Sequence, residues 1–496
     1  DSGTWSSPTA NKVSWYAQNK KNCQHEHCDL SNLYPHHFFL YTFGMKNLCD
    51  YGIGIPQILL PKNCDLSTWS VIACDQYTQD KNYWKSVEEK VADKPSTLNL
   101  ILPEVYLNEN KEERIGKIRQ AMKNYLENGV FESEKNCLVY LERTTAFGRT
   151  RKGLVVQIDL DTYEWKPFSK ANIRATEATI VDRIPPRMEI RRGAPLELPH
   201  IMLLVNDKKG LLVEGAGNLV KNNAPLYQGS LMNNGGSIKG WAIESEADIQ
   251  AVTNAVNEIA KECTDSDGST FLFAVGDGNH SLATAKAVWD EYKAQLLKDG
   301  ASEDEIKNCP VKYALVEIVN LYDSGLTFEP IHRVIFNINS MELVQFLAKN
   351  LDGKIEEVAN KEDLENQVKN SWADFGFIFV EDGKEKFVML KTQIKELAVA
   401  RLQPQIDEFL KNAPDSHVCT DGVCRLVKPE IDYIHGTDEV ISLGLKENST
   451  GVLLPPIAKD SFFETINGRG PLPRKSFSMG EADEKRFYLE CRKLFE

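Results

Sequence analysis

The chain has 496 residues, enough for two or three domains or one large composite, and it can bury a core without disulfide or metal staples. Its formal charge of −14 argues against a surface that coats nucleic acid, because neutralising phosphates requires a basic face. With 42% hydrophobic and 26% charged residues, and no apolar run near the roughly 18 residues of a membrane span, it reads as an ordinary soluble globular protein.

The first 44 residues hold four of the nine histidines and lead to Met45, which reads as the natural start, with 1–44 a disordered or non-native leader. Cys23, His25, His27 and Cys28 in this leader form CQHEHC, but four ligands packed so closely rarely close around one zinc ion. The chain's eleven cysteines are irregularly spaced, and an odd number without a secretory signal points to free thiols in a reducing cytosol. The expected compartment is therefore cytoplasmic.

From Met45 onward helix and strand signals alternate, which predicts a mixed α/β (α+β) architecture. Residues 112–131 place Ile115, Ile118, Met122 and Tyr125 on one helical face, ending near Gly129. CLVYLER (137–143), KGLVVQIDLD (152–161) and HIMLLVND (200–207) read as strands, the last apolar enough to be buried on both faces. Residues 245–263 form an amphipathic helix with Ser245 as a candidate cap, and VKYALVEIVNLYD (311–323) is a further strand. Beyond residue 337, MELVQFLAKN and KEDLENQVKNSW look helical, while GFIFVED and KFVMLKT look like a hairpin. The expected division is an α/β core over 45–336 and a second lobe over 337–496.

The stretch FAVGDGNHSLATAKAVW (273–289) carries the strongest chemical signal. A strand gives way through Gly276 and Gly278 to a helix whose buried stripe is Leu282, Ala285, Val288, Trp289 and Tyr292. Asp277, Asn279, His280 and Ser281 then sit at the mouth of that helix, where unpaired N–H groups and the positive dipole end favour an anion. Capping accounts for one polar residue there, not for four. A histidine beside an aspartate suits either a general base or a phosphate donor.

A second constellation spans 173–200, where Arg174, Arg183, Arg187, Arg191 and Arg192 cluster in an acidic chain. Arginine forks match phosphate or carboxylate, and Pro185, Pro186, Pro195 and Pro199 mark an ordered loop rather than one long helix. Surface ion pairs with Glu177, Asp182, Glu189 and Glu197 are the competing account. His332 with Arg333, and the loop Gly468, Arg469, Gly470, Arg474, Lys475 and Ser476, are two smaller groups that fit either a ligand or plain structure. No phosphate-loop, complete dinucleotide, zinc-protease or nucleophile-elbow motif occurs. Cys419 and Cys424 form a lone pair in a polar loop, with neither redox nor metal character.

At GDGNHSLATAK the chain resembles a family catalogued as a domain of unknown function, whose usual form of this turn is Asp-Gly-His-His-Arg. His280 keeps the second histidine, while Asn279 and Ser281 replace the first histidine and the arginine. PEVYL (103–107), EAT (177–179) with Asp182 and Arg183, PIHR (330–333) and PRKS (473–476) extend the likeness over most of the chain after Met45. The resemblance implies a ParB/sulfiredoxin-like core within a two-lobed architecture, related to sulfiredoxins and an ADP-dependent free-serine kinase, in which such a turn holds a nucleotide phosphate. The family's occurrence beside serine-biosynthesis genes implies serine or phosphoserine as substrate.

On that basis the expected function is a phosphotransfer enzyme acting on a small hydroxy amino acid. Asp277, His280 and Glu177 are the expected catalytic groups, and Asp277 the Mg²⁺ ligand. Gly276, Gly278, Asn279, Ser281, Arg183, Arg187, His332, Arg333, Arg474 and Lys475 are expected to hold phosphate or an ADP or ATP nucleotide. A phosphoserine phosphatase, a non-catalytic nucleotide or phosphometabolite sensor, and a ParB-like partner of CTP or DNA are the alternatives.

Overall fold

The computed structural model describes residue 48 and residues 50–495, leaving out 421 and 422. The segment 1–44 with its CQHEHC cluster, and the side chains of Cys419 and Cys424, lie outside what it describes. The architecture is mixed α/β. Its large sheet runs in the order Tyr227–Ser230, Ser237–Ile243, Leu138–Thr144, Thr150–Asp159, Tyr313–Asn320, Met202–Val205, Phe273–Asp277, Ile173–Ala175 and Tyr163–Glu164. Most neighbours are antiparallel, but Ile173–Ala175 runs parallel to both Phe273–Asp277 and Tyr163–Glu164, and Tyr313–Asn320 parallel to Met202–Val205.

Both faces of this sheet are covered, which explains the unbroken apolar runs. Every residue of Tyr313–Asn320 is buried. Along Thr150–Asp159, Leu154, Val156 and Ile158 enter one core while Val155 enters another, as alternation along a strand requires. The helices Glu246–Glu262 and Asn279–Lys298 pack on the first face through Val252, Val256, Leu282, Ala285, Val288 and Trp289. Ser245 caps the former, accepting from the Asp248 amide at 3.1 Å. The helix foreseen at 112–131 forms as Lys111–Glu127 and buries Ile115, Ile118 and Met122. Within 173–200 the chain is not all loop: Ile184–Arg191 is a helix, with its prolines in the first turn, where their missing N–H groups cost nothing.

A second, antiparallel sheet follows the order Lys354–Glu357, Lys384–Lys391, Phe375–Glu381, Ser449–Leu453, His332–Phe336 and Glu430–Ile434. The strand His332–Phe336 precedes residue 337 and yet belongs to this sheet. Beyond the helix Lys459–Arg469 the chain returns to pack on the large sheet, where Arg492 pairs with Glu197 in a separate two-stranded sheet and Cys491 bonds to Leu59. The last residues of the chain therefore belong to the core of the first sheet, and they bring Lys485 and Tyr488 to the turn at 276–281.

Candidate functional site

The turn is built by two glycines with different tasks. The register against Met202–Val205 slips between Val275 and Asp277, so Gly276 sits in a bulge that re-aims the strand's end. A Cβ on Gly276 would run into Met479 and lie 2.8 Å from Leu204 Cγ, so its role is close packing rather than an unusual backbone angle. Gly278 is the one in the left-handed region, at φ 80°, and it opens the helix Asn279–Lys298 without any side-chain cap. The helix thus presents uncapped N–H groups.

Around that opening the side chains divide into those holding protein and those left free. Asn279 accepts from the Thr176 amide at 3.2 Å and donates to Thr176 Oγ1, tying the turn to the end of Ile173–Ala175. Asp277 accepts from the Gly278 amide at 3.0 Å and meets Lys485 Nζ at 3.3 Å. Ser281 Oγ lies 3.0 Å from His200 Nε2, and His200 Nδ1 lies 2.8 Å from the Tyr488 hydroxyl. The Asp75 carboxyl stands 3.8 Å from His200 Nε2, the nitrogen facing Ser281; burial would raise it, but His200, Gln76 and Lys485 together hold it below the usual range.

His280 Nε2 accepts from the Ile180 amide at 3.3 Å, which puts the ring proton on Nδ1. Burial pushes this imidazole down to about 4, and the guanidiniums of Arg187, Arg183 and Arg474 add to the effect against Asp75. It is a neutral hydrogen-bond donor at physiological pH. Glu177 is shifted the other way: burial raises its carboxyl, the nearby Asp277 adds to this, and Ser476 N–H and Lys475 only partly offset it. Glu177 Oε1 accepts from Ser476 N at 3.1 Å, and Leu472 pairs with Glu177 in a parallel bridge. That bridge zips the basic loop 471–476 onto the strand end beside the turn.

The arginines separate in the same way. Arg187 forks onto Glu104, Arg191 onto Glu197, Arg192 meets Glu291, and Arg174 bonds to Asn467 and stacks on Phe271. Arg469 pairs with Glu396, away from the turn. Arg333 is fully buried, with Gln403 and the Ile331 carbonyl on two of its nitrogens and Glu177 within electrostatic reach. His332 faces the other side of its strand, toward a separate cavity. In contrast, the cationic groups of Arg183, Arg474 and Lys475 are solvent-exposed and engage no acceptor among the described residues. Behind Ser281 lies a cavity of about 150 Å³, mostly apolar, with His200, Tyr488 and Cys74 also in its wall.

Four residues here went unnoticed in the sequence: Asp75, His200, Lys485 and Tyr488. The signal for His200 was present as a histidine at a strand entry after Pro199. Lys485 and Tyr488 sit in a C-terminal stretch where Phe487, Leu489 and Cys491 alternate with charged residues and Tyr488, an alternation that marks no site.

A family model described as "Protein of unknown function (DUF1015)" matches residues 58–409. The chain belongs to this family. No curated protein matches it. Among solved structures, a conserved hypothetical protein from Pyrococcus furiosus is similar at 11% identity and TM-score 0.30, over 68% of this chain and 90% of that one. Free serine kinase in complex with AMP is similar at 12% identity and TM-score 0.32, over 69% and 91%. Among the described residues of this DUF1015 member, no helix is long and apolar enough to cross a membrane.

Proposed function

We propose that this protein is a phosphotransfer enzyme that moves a phosphoryl group from ADP or ATP to a small hydroxy amino acid of the serine type. The observation that carries the reading is the gathering of Arg183, Arg474 and Lys475, cations with no hydrogen-bond or ion-pair acceptor among the described residues, around an uncapped helix start in a chain of charge −14. Unneutralised positive charge held beside oriented N–H groups is a demand for an anion. The serine-type acceptor and the ParB/sulfiredoxin-like core rest on the resemblance at GDGNHSLATAK.

In this reading the phosphoryl oxygens meet Arg183, Arg474, Lys475 and the helix N–H groups, with His280 Nδ1–H as a neutral donor. Glu177, raised by burial, takes the acceptor hydroxyl's proton as its oxygen attacks phosphorus and the nucleotide oxygen leaves. His280 is the weaker base, since its free nitrogen already accepts from Ile180. Mg²⁺ commonly binds through one or two carboxylates plus substrate phosphates. Asp277, beside Glu177, is the group to hold it, and it would neutralise phosphate charge there while Glu177 stays free to take the proton. The six cysteines whose side chains are described are free thiols, which suits the cytoplasm we propose.

Phosphorus NMR tests the proposal directly. The full chain with Mg²⁺, L-serine and ADP or ATP is expected to yield a phosphoserine resonance that the Glu177→Gln variant does not produce. Phosphate released from phosphoserine alone would replace the kinase with a phosphatase. Unchanged spectra with a nucleotide-induced rise in melting temperature would replace it with a sensor.

A further inference from the structure

A second cavity, of about 400 Å³, lies in the second lobe. Alternation along His332–Phe336 sends Ile335 toward the core shared with the large sheet and Val334 to the opposite face, against the helices Lys361–Lys369 and Thr437–Gly444. His332 lies on that opposite face and in the cavity wall. It is only 5% exposed, and its Nδ1 accepts from the Leu454 amide at 3.0 Å. Its proton is therefore on Nε2, which has no partner among the described residues.

An acceptor in the same wall is equally unmet. Glu365 Oε1 is buried and no donor reaches it. Glu329, Glu481, Lys369 and His435 line the same space, yet among the described residues no three carboxylate, imidazole or thiol groups gather closely enough to hold a metal ion. A buried donor and a buried acceptor in one cavity call for a ligand with both complements. Three carboxylates against one lysine favour a cationic donor, and Phe328, Val368 and Leu453 offer an apolar wall. Burial, with Arg333 and His435, pushes the His332 imidazole down to about 4, so it is a neutral donor to whatever it meets.

We infer that this cavity binds a zwitterion, an α-amino acid or short peptide with an apolar side chain, its ammonium on Glu365 and Glu329 and its carboxylate on His332 and Lys369. The site stands apart from the phosphate reading and requires neither nucleotide nor Mg²⁺. Calorimetric titration of the full chain, without phosphate or nucleotide, tests it with L-phenylalanine, L-leucine and glycyl-phenylalanine. At least one should bind, and its analogue lacking the ammonium should bind about tenfold or more weakly. Glu365→Gln should weaken the amino acid or peptide to the same degree while its melting temperature holds, and Lys369→Met should do so through the carboxylate. No binding by any of the three, or equal affinity in the parent and both variants, overturns the inference. Because nucleotide and phosphate are absent and both variants lie in this cavity, neither result bears on phosphotransfer.

Discussion

At the scale of single residues, the fold has moved the proton affinity of groups both at the turn and in the separate cavity. His280 and His332 both refuse a proton until about 4, whereas the unfolded chain takes it up near 6.5. Between those values the unfolded state binds more protons, so stability is complete above about 6.5 and declines as pH falls toward 4. Asp75, lowered from 3.8, loses its contribution only below that window. The melting temperature should therefore fall as pH drops from 6.5 to 4, and His280→Gln should flatten part of that slope; an identical slope in this variant and the parent would contradict a buried neutral imidazole. Glu177 has the opposite sign, because a carboxyl raised by burial destabilises the fold once ionised. Glu177→Gln keeps an acceptor for Ser476 N–H and removes the buried charge. It should melt higher than the parent near neutral pH while losing phosphoryl transfer, the exchange expected of a catalytic group held at a cost to stability.

At the scale of elements, the strand, bulge, glycine and helix at 273–298 act as one part. Gly278 at φ 80° has Ile201 only 3.0 Å from where a Cβ would stand, so Gly278→Ala should cost at least about 1–2 kcal/mol in chemical denaturation. Asn279→Ala removes the tie to Thr176, and a loss of about 1–3 kcal/mol is expected, because the Thr176 amide and hydroxyl are left without it. The elements themselves were legible in the sequence: of the predicted stripe, Leu282, Ala285, Val288 and Trp289 are buried and Tyr292 is half-buried at its end, and Ser245 caps its helix. The tasks of the polar residues were less legible. Two glycines two positions apart look alike in a string, yet one is a bulge and the other a left-handed helix entry. Arg187 and Arg183 look alike too, and only Glu104, 83 residues before Arg187, separates the engaged arginine from the free one.

At the scale of the whole molecule, the site exists because the chain comes back. Residues 486–492 run through the core of the first sheet, none more than 4% exposed, and they carry two arginines with them. The alternation of Phe487, Leu489 and Cys491 in RFYLECR marks only one face as interior, yet Arg486, Glu490 and Arg492 on the other face are buried too, and sequence patterning assigned the segment to the second lobe. Arg486 bonds to Glu317 at 2.8 Å, to Glu490 at 2.7 Å and to the Pro199 carbonyl beside His200. Burial opposes its charge, but the two carboxylates outweigh burial and raise its proton affinity. Arg486→Met strips both carboxylates of a partner in the interior, and such a loss costs about 3–5 kcal/mol. Adding Glu317→Gln and Glu490→Gln removes the stranded charges, so the triple variant should melt above Arg486→Met alone even though it has lost more native bonds. If the triple variant melts lower, the segment is held by its apolar packing through Phe487, Tyr488 and Leu489, and the ion network is secondary to it.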